Sequence, residues 1–397
     1  MLIRKTVIEE KRFLNPALLE EFREVINSSN IFYDVPKYKH LWNLICVLMD
    51  RLESAVNYLN SHINQPKTEE DFVFFLVYAS VLKDGIYKMY ENIYKAKPKT
   101  INNKKWFKDA HDYSKPVFNE INCPTDDVFF EYLRALAFAH PFETSRRGRP
   151  FMKENEVHCS PWVISHCVFN KEKDSVGIRV YSNDEDDLTD LFISFGKLKK
   201  YLLERYSLIK TFIKWGKDEI IKQNVKWMRT KVNRSGNSIT ILRNACEVLD
   251  ERFEEHYSID EAIKILESSF DEEQNKNAVE HIKERIEKVI DSLCDCIDNL
   301  DYEGMEKCMD FLYERPNNLH NNANYELEKT FNYLEDERGL CLPGSNEEWG
   351  LFQATIFYKA YAHKYVKIDF NKMTYLQIKI LIRVALITGR EKENNRK

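Results

Sequence analysis

YKHLWNLICVLMDRLESAVNYL, residues 38–59, repeats apolar side chains every three or four positions, at Leu41, Leu44, Leu48, Leu52, Ala55 and Leu59. That period marks one face of an α-helix, expected to stop near Gln65-Pro66, where proline has no N–H for the ladder. The pattern then starts again. Thr68 is placed as an N-cap, acidic residues fill the first turn, and Phe72, Phe75, Leu76, Ala79, Leu82, Ile86 and Met89 carry the apolar face as far as Tyr94. Two such helices joined by a short connection predict an antiparallel pair.

Working outward, residues 95–123 are rich in Lys, Asn and Pro and read as a long loop, with Trp106 and Phe107 as anchors. A third helix is expected from Thr125 or Asp126 through Val128, Phe129, Tyr132, Leu133, Leu136 and Ala137 until Pro141 ends it. Three β-branched and aromatic segments follow, at 157–169, 176–181 and 191–195, and predict a small antiparallel sheet. Leu198, Leu202, Leu208, Ile209, Phe212 and Ile213 predict one further helix reaching Trp227, and the polar stretch 229–238 reads as a linker. Beyond it the pattern is helical throughout, with capping boxes expected at Ser258…Glu261 and Ser345…Glu348.

The fold class that results is mainly α: an N-terminal segment 1–33, a helical bundle over 34–228 with a β insertion at about 157–195, an all-helical domain over 239–389 and a charged tail, 390–397. Composition agrees with this. In 397 residues there are only 11 Gly and 11 Pro, so turns are few and elements long, while 43% hydrophobic and 13% aromatic residues can fill a core. Residues 1–15 mix charges into the apolar positions and no run approaches the ~18 apolar residues that cross a bilayer, so neither a signal peptide nor a membrane span is expected. Nine cysteines without a CxxC pair suit free thiols in a reducing, cytoplasmic setting. With a net charge of −5, any nucleic-acid partner has to meet a local basic patch.

The chemically suggestive stretch is EYLRALAFAHP, residues 131–141. Arg134 and His140 lie six positions apart, which on a continuous helix subtends about 240° and separates the two side chains. The residue before a proline is pushed out of the α region, so His140 is expected to leave the helix and turn back toward the arginine. Histidine titrates near neutrality and can take the proton of a 2′-OH or protonate a leaving oxygen. The guanidinium fork matches the charge that gathers on phosphoryl oxygens. Metal-free RNA cleavage needs no other groups. The same spacing class recurs at Arg315…His320, in an Asn-rich loop; the pair on the apolar helix is the preferred one. Just downstream, Arg146, Arg147, Arg149 and Lys153, with Phe142 and Phe151 beside them, suit phosphate contacts and base stacking on single-stranded RNA.

A bundle of long helices with Arg, four to six residues, then His near the end of a later helix resembles the HEPN superfamily, which includes toxin and abortive-infection ribonucleases of prokaryotic defence. The resemblance covers roughly residues 34–227. It implies Arg134 and His140 as catalytic residues with Glu131 in support, no cofactor, RNA as substrate, and a homodimer in which two protomers complete one site. It further implies a regulatory protein or phage-derived trigger as partner. Ala135 after the arginine and the lack of a tyrosine two residues past the histidine set the chain apart from the toxin subtypes defined by those positions.

Two other readings stay open. In one, Arg134 is ion-paired to Glu131 or Asp127, His140 caps the helix, and the chain is a non-catalytic interaction or RNA-binding protein. In the other, the acidic run Asp184, Glu185, Asp186, Asp187 and Asp190, or the repeated pairs His158-Cys159 and His166-Cys167, hold a metal for a metal-dependent nuclease. The sequence contains no GxGxxG, GxxxxGK, GxSxG or HExxH motif, so the common local signatures of nucleotide, hydrolase and zincin chemistry are missing.

Overall fold

The computed structural model describes residues 12–64, 66–98, 104–113, 122–145, 151–161, 163, 175–183, 188–335 and 343–395. Unit 1, residues 1–221, contains α1 (Ala17–Asn27), α2 (Ile31–Asp34), α3 (Pro36–Ser61), α4 (Glu69–Tyr94), α5 (Lys108–Tyr113), α6 (Asp126–Arg134) and α7 (Phe195–Tyr206). Its strands are β1 (Thr144–Ser145), β2 (Val157–Cys159), β3 (Ser175–Ser182) and β4 (Leu188–Ser194). The break between the units falls inside α8 (Ile209–Trp227), upstream of the polar stretch 229–238 where the composition shift places it. Unit 2, residues 222–397, is all helical, with α9 (Ser238–Asp250), α10 (Tyr257–Glu267), α11 (Glu273–Asp298), α12 (Tyr302–Met309), α13 (Ala323–Tyr333), α14 (Asn346–Ala360) and α15 (Tyr375–Asn394). The protein is mainly α, and among the described residues no helix is long and apolar enough to cross a membrane.

Helices α3 and α4 form the antiparallel hairpin that the opening stretch predicts. Pro36 sits in the first turn of α3, where its missing N–H costs nothing, and Thr68 caps α4 in a full capping box with Asp71. Tyr58 stacks on Tyr78 at 4.1 Å, while a Cβ at Gly85 would stand 3.2 Å from a methyl of Leu48. The pairing therefore runs backward along one helix as it runs forward along the other. The buried face of α3 carries Ile45 in place of Leu44, which is only partly covered.

Elsewhere the sequence reading needs correction. The loop 95–123 contains α5, preceded by the buried Phe107 and by Trp106, whose indole N–H donates to Glu204 at 2.9 Å. The single helix expected over 198–227 is two, because the chain breaks at Ser207 and Leu208. Residues 12–33 of the N-terminal segment pack into unit 1: Leu14, Leu19, Phe22 and Ile26 are buried, Phe22 meets Phe212, and the hydroxyl of Tyr206 donates to the Asn15 carbonyl at 2.6 Å. The sheet is antiparallel in the order β1-β2-β3-β4, with Arg179 opposite Asp190 and bound to it by two hydrogen bonds at 2.8 and 3.0 Å. One member of the acidic run is thus spent on a cross-strand pair, and Asp184 to Asp187 lie outside the described residues.

One buried charge knits unit 1 together. The guanidinium of Arg205 on α7 is inaccessible, lies 3.9 Å from the ring centroid of Tyr201, and donates to Asp127 on α6 at 2.8 and 3.1 Å. The hydroxyls of Tyr87 on α4 and Tyr201 donate to the same carboxylate at 2.7 and 2.9 Å. Unit 2 has its own buried guanidinium: Arg252, just past α9, donates to the carbonyls of Trp227, Thr230 and Ile297 at the C-terminal ends of α8 and α11. Helix carbonyls carry partial negative charge there, which suits a cation.

In unit 2, α15 buries residues on nearly every side, including Ile378, Leu381, Ile382, Val384, Ala385 and Ile387, the mark of a central helix. Residues 390–394 of the stretch expected as a charged tail belong to α15 and are pinned by Glu391 to His281 and Arg285, and by Glu393 to the N–H groups of Asn317 and Asn318. Helix α10 starts at Tyr257 behind His256, so no capping box forms at Ser258.

Two stability predictions result. Asp127→Ala leaves Arg205 buried without its principal counter-charge and is expected to cost about 3 kcal/mol, read as a lower midpoint in urea unfolding followed by a unit 1 probe such as Trp215. Gly389→Ala improves helix propensity by about 1 kcal/mol, yet its Cβ would lie 1.9 Å from the Tyr361 hydroxyl. The variant should lose about 2 kcal/mol overall, and pairing it with Tyr361→Phe should restore part of the loss in the same measurement.

Candidate functional site

Helix α6 is fixed by its sequence at both ends. Thr125 Oγ1 accepts from the Val128 N–H at 3.4 Å, and Phe129, Phe130, Tyr132 and Leu133 turn inward. After Arg134 the ladder widens: Ala135–Ala139 form a single π turn, closed by the His140 N–H donating to the Ala135 carbonyl at 2.8 Å. Such turns insert an extra residue and recur at functional sites. Pro141 then does what the sequence predicts, since His140 leaves the helical region with φ −144° and ψ 52°. The His140 carbonyl accepts from the Thr144 hydroxyl at 2.8 Å and the Pro141 carbonyl from the Ser160 N–H at 2.8 Å, which anchors this backbone to the strands. The His140 side chain is exposed, and Phe142, two residues on, is 88% exposed.

Arg134 is half-buried at the last α-helical position. Its Nη1 contacts Glu131 at 3.2 Å and Asp84 on α4 at 3.3 Å. Lys83, almost fully buried, contacts the same two carboxylates, its ion pair to Glu131 reaching across from α4 to α6. The result is an alternating quartet of Lys83, Glu131, Arg134 and Asp84. Asp84 and Glu131 are well solvated, so each pair is worth little and its geometry is easily exchanged. No hydrogen bond joins Arg134 to His140 within the chain. The two converge only as far as lying at the same end of α6.

The remaining site residues are dispersed. Arg146, Arg147 and Arg149 lie outside the described residues, and Lys153 donates its backbone N–H to Glu156 at 3.0 Å. Phe151 is no stacking platform: it is buried against Phe129 and Tyr132. In unit 2, Arg315 donates to Asn324 and His320 pairs with Glu326 at 2.7 Å, so that second Arg…His match is held by separate local partners.

His158 belongs to a buried chain of polar groups that the sequence signals only through its neighbour Cys159. His166 and Cys167 lie outside the described residues. The Tyr132 hydroxyl meets His158 Nδ1 at 2.7 Å, and His158 Nε2 meets Glu156 at 2.9 Å. The Ser182 hydroxyl donates to the same carboxylate at 2.6 Å. The imidazole thus stands between the tyrosine hydroxyl and the glutamate carboxylate. Tyr132, Glu156 and His158 are closed to solvent, so this chain docks β2 and β3 on α6 and is no catalytic centre.

No family model, curated protein or solved structure matches this chain. The functional reading therefore rests on its own residues.

Burial acts to raise the Glu156 carboxyl, but hydrogen bonds from Ser182 and His158 outweigh it and hold the group below its ordinary value of 4.5. A depressed carboxyl contributes stability that is complete above the unfolded value and is lost as pH falls through the folded one. The melting temperature of the protein should accordingly drop on acidification below about pH 4.5, and Glu156→Gln should flatten that drop while lowering the melting temperature at pH 7.

Proposed function

We propose that unit 1 is a metal-independent RNA endonuclease in which His140 exchanges the proton of the 2′-OH or of the leaving oxygen and Arg134 stabilises the charge on the phosphoryl group. The observation that carries this reading is the exposed imidazole held just beyond a π turn, at the same helix end as a guanidinium whose ion pairs, made through Nη1, have solvated partners. Nη2 and Nε are left to meet a phosphate, and Glu131 orients the fork from one turn before. Phe142 offers an exposed ring for a base, and the arginines that follow it in the chain supply backbone contacts. Because Arg134 and His140 are not bonded to each other within one chain, the site is completed by a second copy, as the resemblance to HEPN ribonucleases implies. A cytoplasmic defence role, released by a protein or phage-derived trigger, belongs to the same proposal.

A second reading has its own support. The four-membered charge network ties Arg134 to α4, as in a helical protein that binds RNA or another protein without cutting it. Purified protein incubated with total RNA in excess chelator separates the two. Cleavage leaving 2′,3′-cyclic phosphate ends, reduced about 100-fold or more in His140→Ala and in Arg134→Ala, is the expected result. Cleavage that both variants retain, or that chelator abolishes, overturns the proposal; RNA binding without cleavage, in the presence of the trigger, shifts the assignment to the second reading.

A further inference from the structure

Unit 2 holds a cluster of donors that the RNA reading does not use. Cys246 and Asp250 lie four positions apart on α9, so they share a face. His256 stands at the N-cap of α10 with no capping hydrogen bond from its side chain, and Asp260 follows it by four. The imidazole spans the two helices instead: Nδ1 is 3.0 Å from Asp260 Oδ2 and Nε2 is 3.1 Å from Asp250 Oδ1. Cys246 Sγ is 3.9 Å from Asp260 Oδ1, and one donor atom each of Cys246, His256 and Asp260 lie within 4.8 Å of one another.

We propose that Cys246, His256 and Asp260 form a binding site for a zinc-type divalent transition metal, with Asp250 orienting the histidine and the fourth coordination position open. Tetrahedral zinc with bonds of about 2.0 to 2.3 Å sets its donors roughly 3.3 to 3.8 Å apart. Nδ1 to Oδ2 at 3.0 Å and Sγ to Oδ1 at 3.9 Å, measured to the two oxygens of Asp260, lie close to either end of that interval, and one donor atom of each residue falls within 4.8 Å of the others. One thiolate, one imidazole and one carboxylate make a donor set for a borderline-soft ion rather than for calcium or magnesium.

The arrangement of Asp250 adds an independent argument. Asp250, which meets Nε2, fixes the ring so that Nδ1 points the other way, toward Asp260 and Cys246. The carboxylate–histidine–metal relay is the usual partner arrangement of metal-bound histidines, and a metal ion would take the place of the proton that Nδ1 shares with Asp260, that proton leaving to solvent. Burial, with Asp260 and Asp250 next, pushes the Cys246 thiol up to about 12. A divalent ion reverses that balance, the thiol proton leaving to solvent as the metal–sulfur bond forms.

The scaffold is rigid where it needs to be. The connection between α9 and α10 contains Arg252, whose three backbone acceptors tie it to the ends of α8 and α11. Leu249, Ile259 and Ala262 bury the helix faces on either side.

Titration of the metal-free full-length protein with Co²⁺ tests the site. The expected result is saturation at one equivalent, with a thiolate-to-cobalt charge-transfer band and tetrahedral visible bands, all displaced by Zn²⁺. Cys246→Ser should remove the charge-transfer band, and Asp250→Asn should weaken binding about tenfold or more while keeping it, with circular dichroism verifying the fold of each variant. Lack of the band in the parent protein, or its survival in Cys246→Ser, overturns the proposal. The parent titration decides the matter even if a variant fails to fold.

Discussion

The arginine at position 205 constrains nearly everything in unit 1. Removing a guanidinium from water costs several kcal/mol, and the expense is tolerable only where each donor finds an acceptor and the geometry is fixed. Asp127 meets that requirement, and because its carboxylate also accepts from Tyr87 and Tyr201, three helices must arrive in register for any of the four groups to be satisfied. Glu204 extends the network to Trp106 and Lys104, drawing in the segment before α5. Apolar burial alone tolerates sliding of one helix along another. A shared buried carboxylate does not, and so the end of α6, with Arg134, is placed by a charge seven residues upstream.

Unit 2 solves the corresponding problem without a counter-ion. Arg252 takes its acceptors from carbonyls at the ends of α8 and α11 and in the segment after α8, so one side chain ties three stretches of backbone together. Asn275 works similarly on a smaller scale, exchanging two hydrogen bonds of 2.7 and 2.8 Å with the backbone of Lys367. Both are polar residues inside an otherwise largely apolar core, and both tie stretches of backbone together rather than helix faces.

How much of this was legible follows from the range of each interaction. The hairpin of α3 and α4 is written locally, in a 3.6-residue period and a capping box, and it reads off the sequence almost residue by residue. The exit of His140 from its helix is equally local, being a property of the bond to Pro141. The counter-charge of Arg134 was half visible, since Glu131 is one turn away while Asp84 is fifty residues earlier. Nothing in the spacing of Tyr132, Glu156, His158 and Ser182 announces that they share one buried chain, because the strand register that joins them depends on residues outside their neighbourhood. Cys246, Asp250, His256 and Asp260 were missed although they lie within 15 positions; reading the two i, i+4 pairs together across the α9–α10 turn would have found them.

The π turn at Ala135–Ala139 turns chain length into geometry. It holds one residue more than an α-helical turn would, and the surplus is taken up between two anchored points: α6, held by the Arg205 network, and the strand end, held by Thr144 and Ser160. Loss of a single alanine from this stretch would let the ladder revert to α-helical spacing and wind the histidine about 100° around the axis, without altering any side chain that surrounds it. Here the orientation of a chemical group is stored as a count of residues, a property that substitution at any one of the five positions leaves untouched.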